Sequence, residues 1–383
     1  MTDLRRRFLV VTLDAAGNWP PEIALIRALV ERGHEVRVMS DASHAAQIGA
    51  VGAAFHPYDP SLHRNPVVRH DETPQEEMMR ILRDVFLNPR YADALLAEVD
   101  RDRPDVLLVD QMLLMAAAGA ERTGLPTAIL WHTVYGGTAG QRTPSAMLDP
   151  LNAFRETLGL ERVADRSAAA AKADAIVAFT YEAFDVPPPV RPPQLQYVGP
   201  LACLPPAAAR ADTGDRRPLV VVSYSTSWQN QVAALQRVAD AVANLPVRVL
   251  MTLGHAIAAD ELRLPANVVA ERFVPHASVL PDASLVVTHA GHGTIMAAVT
   301  AGVPMLCTPM GRDQHAVAAC VAQRRLGVVV PTTASTEELK AAIAAALADR
   351  TLHDRARAFA AALDLPDGLR RAIDVLERLA SAA

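Results

Sequence analysis

The sequence predicts two α/β domains, each built on a parallel β-sheet with helices on both faces. Short apolar runs alternate with amphipathic helical stretches from the N-terminus onward, which is the pattern of such folds. A segment rich in Pro and Ala interrupts the alternation near residues 187–217, and the alternation then starts again. The length of 383 residues also suits two domains of ordinary size.

The first half opens with a predicted βαβ unit. Phe8–Leu13 reads "FLVVTL", a continuous apolar run typical of a strand that is buried on both faces. A helical stretch follows with Ile23, Ile26 and Leu29 on one face, and His34–Ser40 then forms a second strand. The later strands of this half are predicted at Pro104–Asp110, Pro126–Trp131 and Ala175–Thr180.

The second half repeats this architecture without a readable sequence repeat. Its predicted strands are Pro218–Ser225, Val247–Gly254, Asn267–Val274, Ala283–Ala290 and Val303–Pro309. We therefore predict an N-terminal domain at 1–200, a linker at 201–217 and a C-terminal domain at 218–365. A last helix at 366–383 is expected to pack back on the N-terminal domain. Two such domains are expected to face each other across a cleft.

Composition excludes several classes of protein. The chain has 37 basic and 42 acidic residues, and this balance does not favour a nucleic-acid-binding protein. No apolar stretch reaches about 20 residues, so no membrane span is predicted, and Phe8–Leu13 is too short for a signal peptide. Three cysteines without a C-x-x-C motif favour a reduced, cytoplasmic protein. The oligomeric state stays open, with a homodimer among the alternatives.

A polar interruption follows the predicted strand that ends near Thr288. It reads "THAGHGT" and contains His289, Gly291, His292 and Gly293. A metal site is disfavoured because no carboxylate or cysteine lies beside the histidines, and a catalytic His or a simple tight turn are further alternatives. Anion binding fits best, because glycines let the backbone approach a ligand and a predicted helix starting at Thr294 directs its free N–H groups into the loop.

A second polar loop, "TPMGRDQ", follows the next predicted strand. Its Asp313 and Gln314 combine an acceptor pair with an amide, which suits sugar hydroxyls because these need both acceptors and donors. A solvated surface loop is the alternative interpretation.

The segment from Arg272 to Gln314 resembles the donor-binding signature of nucleotide-sugar glycosyltransferases of the GT-B fold. It is most similar to the actinobacterial natural-product branch, and "RALVERGHEVRV" near the N-terminus is also typical of that family. The resemblance implies an acceptor-binding N-terminal domain and a donor-binding C-terminal domain. It also implies that no metal or other cofactor is needed, since a helix N-terminus and side chains neutralise the leaving diphosphate.

The resemblance also implies roles for individual residues. Phe273 and Val274 would lie at the nucleobase, and His289, Gly293 and Thr294 at the diphosphate. Asp313 and Gln314 would hold the donor sugar. The other residues that it places at the donor are Ser225, Thr226, Gly291 and His292, although loop packing is the favoured interpretation for His292.

One departure from the family bears on the nucleotide. Many relatives, especially those using UDP-sugars, have a Glu where this chain has Ala297, and that Glu accepts from the ribose hydroxyls. Deoxyribose has one hydroxyl fewer, so the loss of the Glu harms a dTDP-sugar enzyme less. The sequence therefore favours dTDP over UDP as the nucleotide of the sugar donor.

A second departure concerns the general base, which in the family is a His or Asp after a glycine in the loop following the first strand. Here Gly17 precedes Asn18, and a neutral amide is not a base at physiological pH. Asp14 or His132 could deprotonate the acceptor instead, or an acidic acceptor could need only orientation by Asn18. Asp110 matches the acid that orients the family's His, and a structural strand-end role is its alternative.

The acceptor pocket is expected in the N-terminal domain. Trp19 is a candidate for stacking on a flat acceptor, and the stretch 63–86 offers apolar side chains on a helix, although core packing is the alternative for most of them. The candidates in that stretch are Met78, Met79, Ile81, Leu82 and Phe86.

These observations predict an inverting glycosyltransferase that moves a (deoxy)sugar from a dTDP- or UDP-sugar to a small lipophilic natural product. Two alternatives remain open. Asn18 is compatible with a non-catalytic nucleotide-sugar-binding auxiliary protein, and the same fold also serves nucleotide-sugar epimerases and hydrolases. The acceptor, the sugar and the atom that receives it are not predicted.

Overall fold

The computed structural model describes residues 5–63, 65, 68–69, 71–139, 143–201, 214–363 and 367–381. The chain divides into two compact units. The first contains Met1–Asn65, Gln75–Ala202 and Leu365–Ala383, and the second contains Pro66–Pro74 and Cys203–Asp364. Most of the predicted linker, residues 202–213, lies outside the described residues.

The first unit is built on a parallel sheet of seven described strands. They are β1 Arg7–Val11, β2 Glu35–Ser40, β3 Ala54–Pro57, β4 Val106–Asp110, β5 Thr127–Trp131, β6 Ala175–Ala178 and β7 Leu195–Tyr197. Their spatial order is β3-β2-β1-β4-β5-β6-β7, with every pairing parallel. The loops that follow β1, β4 and β5 therefore leave the same edge of the sheet, where ligands of parallel sheets bind.

Helices cover both faces of this sheet. They are α1 Trp19–Glu31, α2 Ala45–Ala50, α3 Pro74–Ile81, α4 Arg90–Arg101, α5 Leu114–Thr123, α6 Tyr135–Ala139, α7 Ser145–Thr157 and α8 Arg166–Ala170. A π-helical turn at Leu82–Phe86 continues α3. Successive residues of β1 enter opposite cores, with Leu9 and Val11 in one and Phe8 and Val10 in the other. This alternation explains why the strand is apolar throughout.

The second unit repeats the design with a parallel sheet of six described strands. They are β8 Leu219–Ser223, β9 Arg248–Thr252, β10 Val268–Glu271, β11 Ala283–Thr288, β12 Met305–Cys307 and β13 Gly327–Val329. Their order is β10-β9-β8-β11-β12-β13. The helices of this unit are α9 Val232–Val242, α10 His292–Ala301, α11 Gln314–Gln323, α12 Thr336–Ala348 and α13 Arg350–Ala362. The predicted α/β class with two parallel sheets is confirmed.

The last helix, α14 Gly368–Ser381, belongs to the first unit. Its apolar face, which includes Ile373 and Leu376, joins the core beneath α1. Glu377 accepts two hydrogen bonds from Arg32, at 3.0 and 2.7 Å, and lies 3.1 Å from His34 Nε2. The helix is therefore a structural part of this unit.

Three local features differ from the sequence expectations. Leu195–Tyr197 forms an edge strand within the proline-rich segment, because prolines that flank an edge strand cost few ladder hydrogen bonds. Helix α10 begins at His292, two residues before the predicted start at Thr294. Residues Pro66–Pro74 group with the second unit, although the sequence suggested a loop of the N-terminal domain.

Among the described residues, no helix is both long enough and apolar enough to cross a membrane. Cys307 and Cys320 are buried thiols, and Cys203 lies outside the described residues.

Candidate functional site

A polar cluster lies in the first unit, where β1, β4 and β5 end side by side. Asn18 Nδ2 donates to Asp110 Oδ2 at 3.0 Å and lies 3.6 Å from Met112 Sδ. The other Asp110 oxygen accepts from the Met112 backbone N–H at 2.6 Å. The carboxylate thus holds the Asn18 amide by its nitrogen, which leaves the Asn18 oxygen as a hydrogen-bond acceptor on a half-buried side chain.

His132 and Glu22 form a buried pair behind this Asp–Asn contact. His132 Nε2 lies 3.0 Å from Glu22 Oε1 and 3.4 Å from Asp110 Oδ2. Thr12 donates its hydroxyl to the second Glu22 oxygen. All four of these side chains are buried. The structure therefore connects Asn18 and Asp110, which the sequence predicted, with Glu22 and Thr12, which it did not.

The protonation of this cluster follows from its burial. Burial opposes a charge on His132, but the adjacent Asp110 and Glu22 carboxylates outweigh it and raise the His132 pKa. Burial also raises the pKa of Glu22, and the contact with His132 offsets part of that rise. Both carboxyl groups lie against the same His132 nitrogen, Nε2, so the raised pKa values favour a proton at this contact. His132 lies behind Asp110 and is only 6% exposed, so it cannot reach an acceptor directly.

Glu22, Asp110 and His132 also offer one ligand atom each within 4.8 Å of one another, a set that could hold a metal ion. The same atoms satisfy one another through the contacts described above. A shared proton accounts for the arrangement without an ion, and we assign no metal to it.

Asp14 is held by its neighbours at the edge of the same loop. Its Oδ2 accepts from Ser43 Oγ at 2.7 Å, and its Oδ1 lies 3.7 Å from His44 Nε2. Burial opposes ionisation, yet the contacts with His44 and Ser43 hold the Asp14 pKa below its usual value. A carboxylate with a lowered pKa is a poor proton acceptor. The structure gives Asp14 a role in holding the loop.

The predicted acceptor residues separate into different environments. Trp19 is buried, its ring is stacked on His44 at 3.6 Å between centroids, and its Nε1 donates to Gln47. The structure thus uses Trp19 for packing, and stacking on an acceptor finds no support. Leu82, Ile81 and Phe86 are buried in the core, and Met78 packs against it. Met79 is 52% exposed.

In the second unit, β8, β11 and β12 are neighbours, so the three loops that follow them leave one edge of the sheet. The loop after β11 carries His289, which is buried beneath the N-terminal end of α10. A Cβ atom on Gly291 would lie 2.6 Å from His289 Cε1 and 2.7 Å from its Nε2. Only glycine at position 291 allows the imidazole to occupy this place. Gly293 has open space around it.

The start of α10 is suited to an anion. Gly291 is the N-cap residue, so no side chain caps the first turn, and Thr294 is buried within that turn. Ala290 adopts a φ of 68°, a left-handed conformation that costs on the order of 1 kcal/mol in a residue with a side chain. Strain of this kind is typical of functional turns. The uncapped N–H groups and the helix dipole favour a negatively charged ligand at this point.

His289 is neutral at physiological pH. Burial, followed by the positive charge of Arg312, lowers the His289 pKa to about 4. The ring of Tyr224 stacks against the imidazole at 5.7 Å between centroids, and the Tyr224 hydroxyl bonds to that of Thr308. A neutral imidazole in such a place offers a hydrogen bond to a ligand but no charge.

The loop after β8 is held by its own side chains. Ser225 Oγ accepts from Gln229 Nε2 at 2.8 Å and lies 2.9 Å from Ser227 Oγ. Ser225 is buried, which favours a structural role, whereas Thr226 is exposed. A Cβ on Gly254 would lie 2.7 Å from Thr226 Cα, so glycine there keeps the loop in position. Thr226 is therefore the better candidate for ligand contact.

Asp313 and Gln314 differ sharply in their surroundings. Gln314 is buried, its Oε1 accepts from the backbone of Met310 and Gly311, and its Nε2 donates to Gln229 at 2.7 Å. Both contacts of its oxygen and one of its two N–H donors hold these loops, which favours a structural role for Gln314. Asp313 is half-buried, and its carboxylate accepts no hydrogen bond within the described part of the chain. Its carboxylate is the group of the pair that can meet a ligand.

The predicted nucleobase residues are neighbours with opposite exposure. Phe273 is 57% exposed just beyond β10, and Val274 is buried. An exposed aromatic ring is suited to stacking on a flat base. His292 lies in the first turn of α10, with its Nε2 buried.

Two parallel-sheet units with these loops resemble the GT-B fold of glycosyltransferases. The glycosyltransferase of kitacinnamycin has the same fold, with a TM-score of 0.76 and 25% identity over 98% of this chain and 99% of that one. Residues 236–366 match the family model described as Erythromycin biosynthesis protein CIII-like, C-terminal domain.

Curated relatives agree with this class. The 4'-demethylrebeccamycin synthase of Lentzea aerocolonigenes is 26% identical over 97% of this chain and 99% of its own length. The elloramycin glycosyltransferase ElmGT of Streptomyces olivaceus is 29% identical over 96% of this chain and 97% of its own. The resemblance to natural-product glycosyltransferases of the GT-B fold, predicted from the sequence, is confirmed.

Proposed function

We propose that this protein is an inverting glycosyltransferase that transfers a sugar, in particular a deoxysugar, from dTDP to a small lipophilic natural product. The observation that carries the proposal is His289, held over Gly291 at the uncapped start of α10, with Asp313 on the loop after the adjacent strand. The relatives support sugar transfer to a natural-product acceptor. The preference for dTDP over UDP rests on Ala297, which cannot accept from a ribose hydroxyl.

In the proposed donor site, the α10 N-terminus and His289 hold the diphosphate while Asp313 accepts from sugar hydroxyls. As the bond from the anomeric carbon to the diphosphate oxygen breaks, the uncapped N–H groups stabilise the growing negative charge. Phe273 supplies a ring for the base. This chemistry needs no other cofactor, and the partners are the nucleotide sugar and the acceptor.

The acceptor hydroxyl is proposed to meet the oxygen of Asn18. Asp110 holds the amide nitrogen, so the amide oxygen accepts the hydroxyl hydrogen bond and orients the nucleophile without removing its proton. Such a site works best with an acidic acceptor such as a phenol, which releases its proton to solvent water as its oxygen bonds to the anomeric carbon and the diphosphate leaves. An aliphatic alcohol needs a true base.

A panel of nucleotides tests the donor site directly. Thermal unfolding is followed with dTDP, UDP, GDP, ADP and NAD, and stabilisation is expected with dTDP first and UDP second. Stabilisation by NAD alone, or by none of the five, contradicts the donor-loop assignment. Sugar transfer is then followed with dTDP-sugars and a set of phenolic and alcoholic acceptors.

Asn18 favours one second candidate, a nucleotide-sugar-binding auxiliary protein without turnover. Asn18→His separates the two, because a histidine at this position meets Asp110 and restores a base. A wild type that transfers sugar to phenols, with Asn18→His extending transfer to alcohols, supports the enzyme. A wild type that binds dTDP-sugar but transfers to no acceptor, and gains transfer only as Asn18→His, supports the auxiliary role. Consumption of dTDP-sugar without an acceptor favours an epimerase or hydrolase.

The proposal includes a cytoplasmic location, and it leaves the choice between monomer and homodimer to experiment. A balanced charge and the small-molecule chemistry of the loops give no reason to expect a nucleic-acid partner. Size-exclusion chromatography with light scattering distinguishes a monomer from a homodimer.

A further inference from the structure

Arg312 lies on the loop between β12 and α11, one residue before Asp313. It adopts a φ of 54°, the left-handed conformation that residues with side chains rarely occupy. Its guanidinium donates from Nη1 to Ser227 Oγ at 3.0 Å and from Nη2 to the Trp228 carbonyl at 3.3 Å. The strained backbone thus directs a cation across to the loop that follows β8.

A second side chain joins the same two loops. Gln314 donates to Gln229 at 2.7 Å, and Gln229 donates in turn to Ser225. Arg312 is therefore not required as the sole connection between the loops. The positive charge of Arg312 is a further property of this edge, beyond the hydrogen bonds to Ser227 and Trp228.

The three loops of this edge contain few charged residues. The loop segments 223–231, 288–294 and 308–314 are fully described, and Arg312 is the one Lys or Arg among their residues. His289 is neutral, and its lowered pKa reflects the nearby Arg312 as well as burial. The carboxylate of Asp313 adds a negative charge beside them. A nucleoside diphosphate bound at α10 would meet helix N–H groups and the one cation that these three loop segments carry.

We propose that Arg312 is a nucleotide-selecting residue that supplies the fixed positive charge for the donor diphosphate and so discriminates diphosphates from monophosphates. This inference rests on the proposed donor site. It assigns to Arg312 a ligand that neither Asp313 nor Gln314 can bind, since a carboxylate repels phosphate and the Gln314 amide is already engaged. The loop conformation keeps the guanidinium in place before the ligand arrives.

The test measures the affinity of the full chain for dTDP and dTMP by calorimetry at low and moderate salt. Arg312→Gln is expected to weaken dTDP binding about tenfold or more, because a charge-assisted contact is lost. It should weaken dTMP binding much less and flatten the salt dependence of dTDP binding. Arg312→Lys should retain the salt dependence. Arg350→Gln removes an equal charge from an exposed position of the same unit and should leave both affinities unchanged.

Each outcome has a distinct meaning. If the wild type binds neither nucleotide, the proposed donor site itself fails. If the wild type binds dTDP and Arg312→Gln binds it equally well with the same salt dependence, the role of Arg312 is overturned while the donor site stands. If Arg312→Lys loses as much affinity as Arg312→Gln and both unfold at a lower temperature, Arg312 only holds the loops together and its selecting role is again overturned.

Discussion

A single methyl group at position 291 should act through one specific contact. In Gly291→Ala the new Cβ would lie 2.6 Å from Cε1 and 2.7 Å from Nε2 of His289, well inside van der Waals contact. Overpacking of this kind costs about 1–3 kcal/mol. The His289 ring is the near neighbour, so removing the ring should remove the cost.

A double-mutant cycle measures the free-energy cost of the contact between residues 291 and 289. We expect Gly291→Ala to lower the free energy of unfolding of the second unit by about 1–3 kcal/mol in the wild-type background. In the His289→Ala background the same substitution should cost less than about 0.5 kcal/mol, because the clash is gone. Gly293→Ala is the matched control, since nothing lies within 4 Å of its Cβ position and alanine favours a helix.

Urea unfolding measures the stability of each variant in this cycle, and calorimetry measures its affinity for dTDP. Displacement of the imidazole should also cost the hydrogen bond that His289 gives the diphosphate, which is about 1.5–3 kcal/mol or roughly 10- to 150-fold in affinity. Affinity should fall by the same factor in Gly291→Ala, His289→Ala and the double variant. Equal destabilisation by Gly291→Ala in both backgrounds would refute the reasoning, because the cost would then not arise from the ring.

Three further predictions concern other parts of the two sites. Folding raises the His132 pKa, so the contribution of His132 to stability should be complete below about pH 6.5 and should be lost as pH rises through its folded value. Folding also raises the Glu22 pKa, so the contribution of Glu22 should be complete only below about pH 4.5. Glu22→Gln should flatten the loss of stability in thermal unfolding between about pH 6 and 9. Asp313→Asn should reduce kcat/KM for the donor about tenfold or more, while the affinity for dTDP changes little. Gln314→Ala should instead lower the melting temperature, because of these two residues only Gln314 holds loops together through its side-chain amide. Phe273→Ala should weaken dTDP binding by about 1–3 kcal/mol without changing the melting temperature, and an unchanged Kd would contradict base stacking.

The sequence predicts the strand, the turn and the helix around His289 well, because the signals for them are local. The strand, the two glycines and the start of α10 are consecutive, so residue types alone indicate an anion site. The start of α10 differs from the prediction by two residues, since a glycine N-cap gives no side-chain signal. The partners of Gln314 illustrate the limit, because Met310, Gly311 and Gln229 lie in loops whose contacts no sequence pattern reveals.

Glu22 was missed, although the sequence contains a signal for it. An acid in the first turn of α1 normally faces solvent and favours the helix dipole. Yet Glu22 shares one helical face with Leu25, Ile26 and Leu29, all of which are buried. An acid on an apolar face requires a partner, and His132 supplies it from a strand 110 residues away. That distance along the chain explains why sequence patterns cannot identify the partner.

The position of α14 sets the order in which the protein can be completed during synthesis. The core that includes Phe8 and Leu25 is completed by Ile373 and Leu376, which follow the whole second unit in the chain. The intervening residues up to position 363 are translated before this core is complete. The first unit therefore keeps an apolar face uncovered while the second unit is made, and a nascent chain arrested before residue 368 should depend on chaperones to stay out of aggregates.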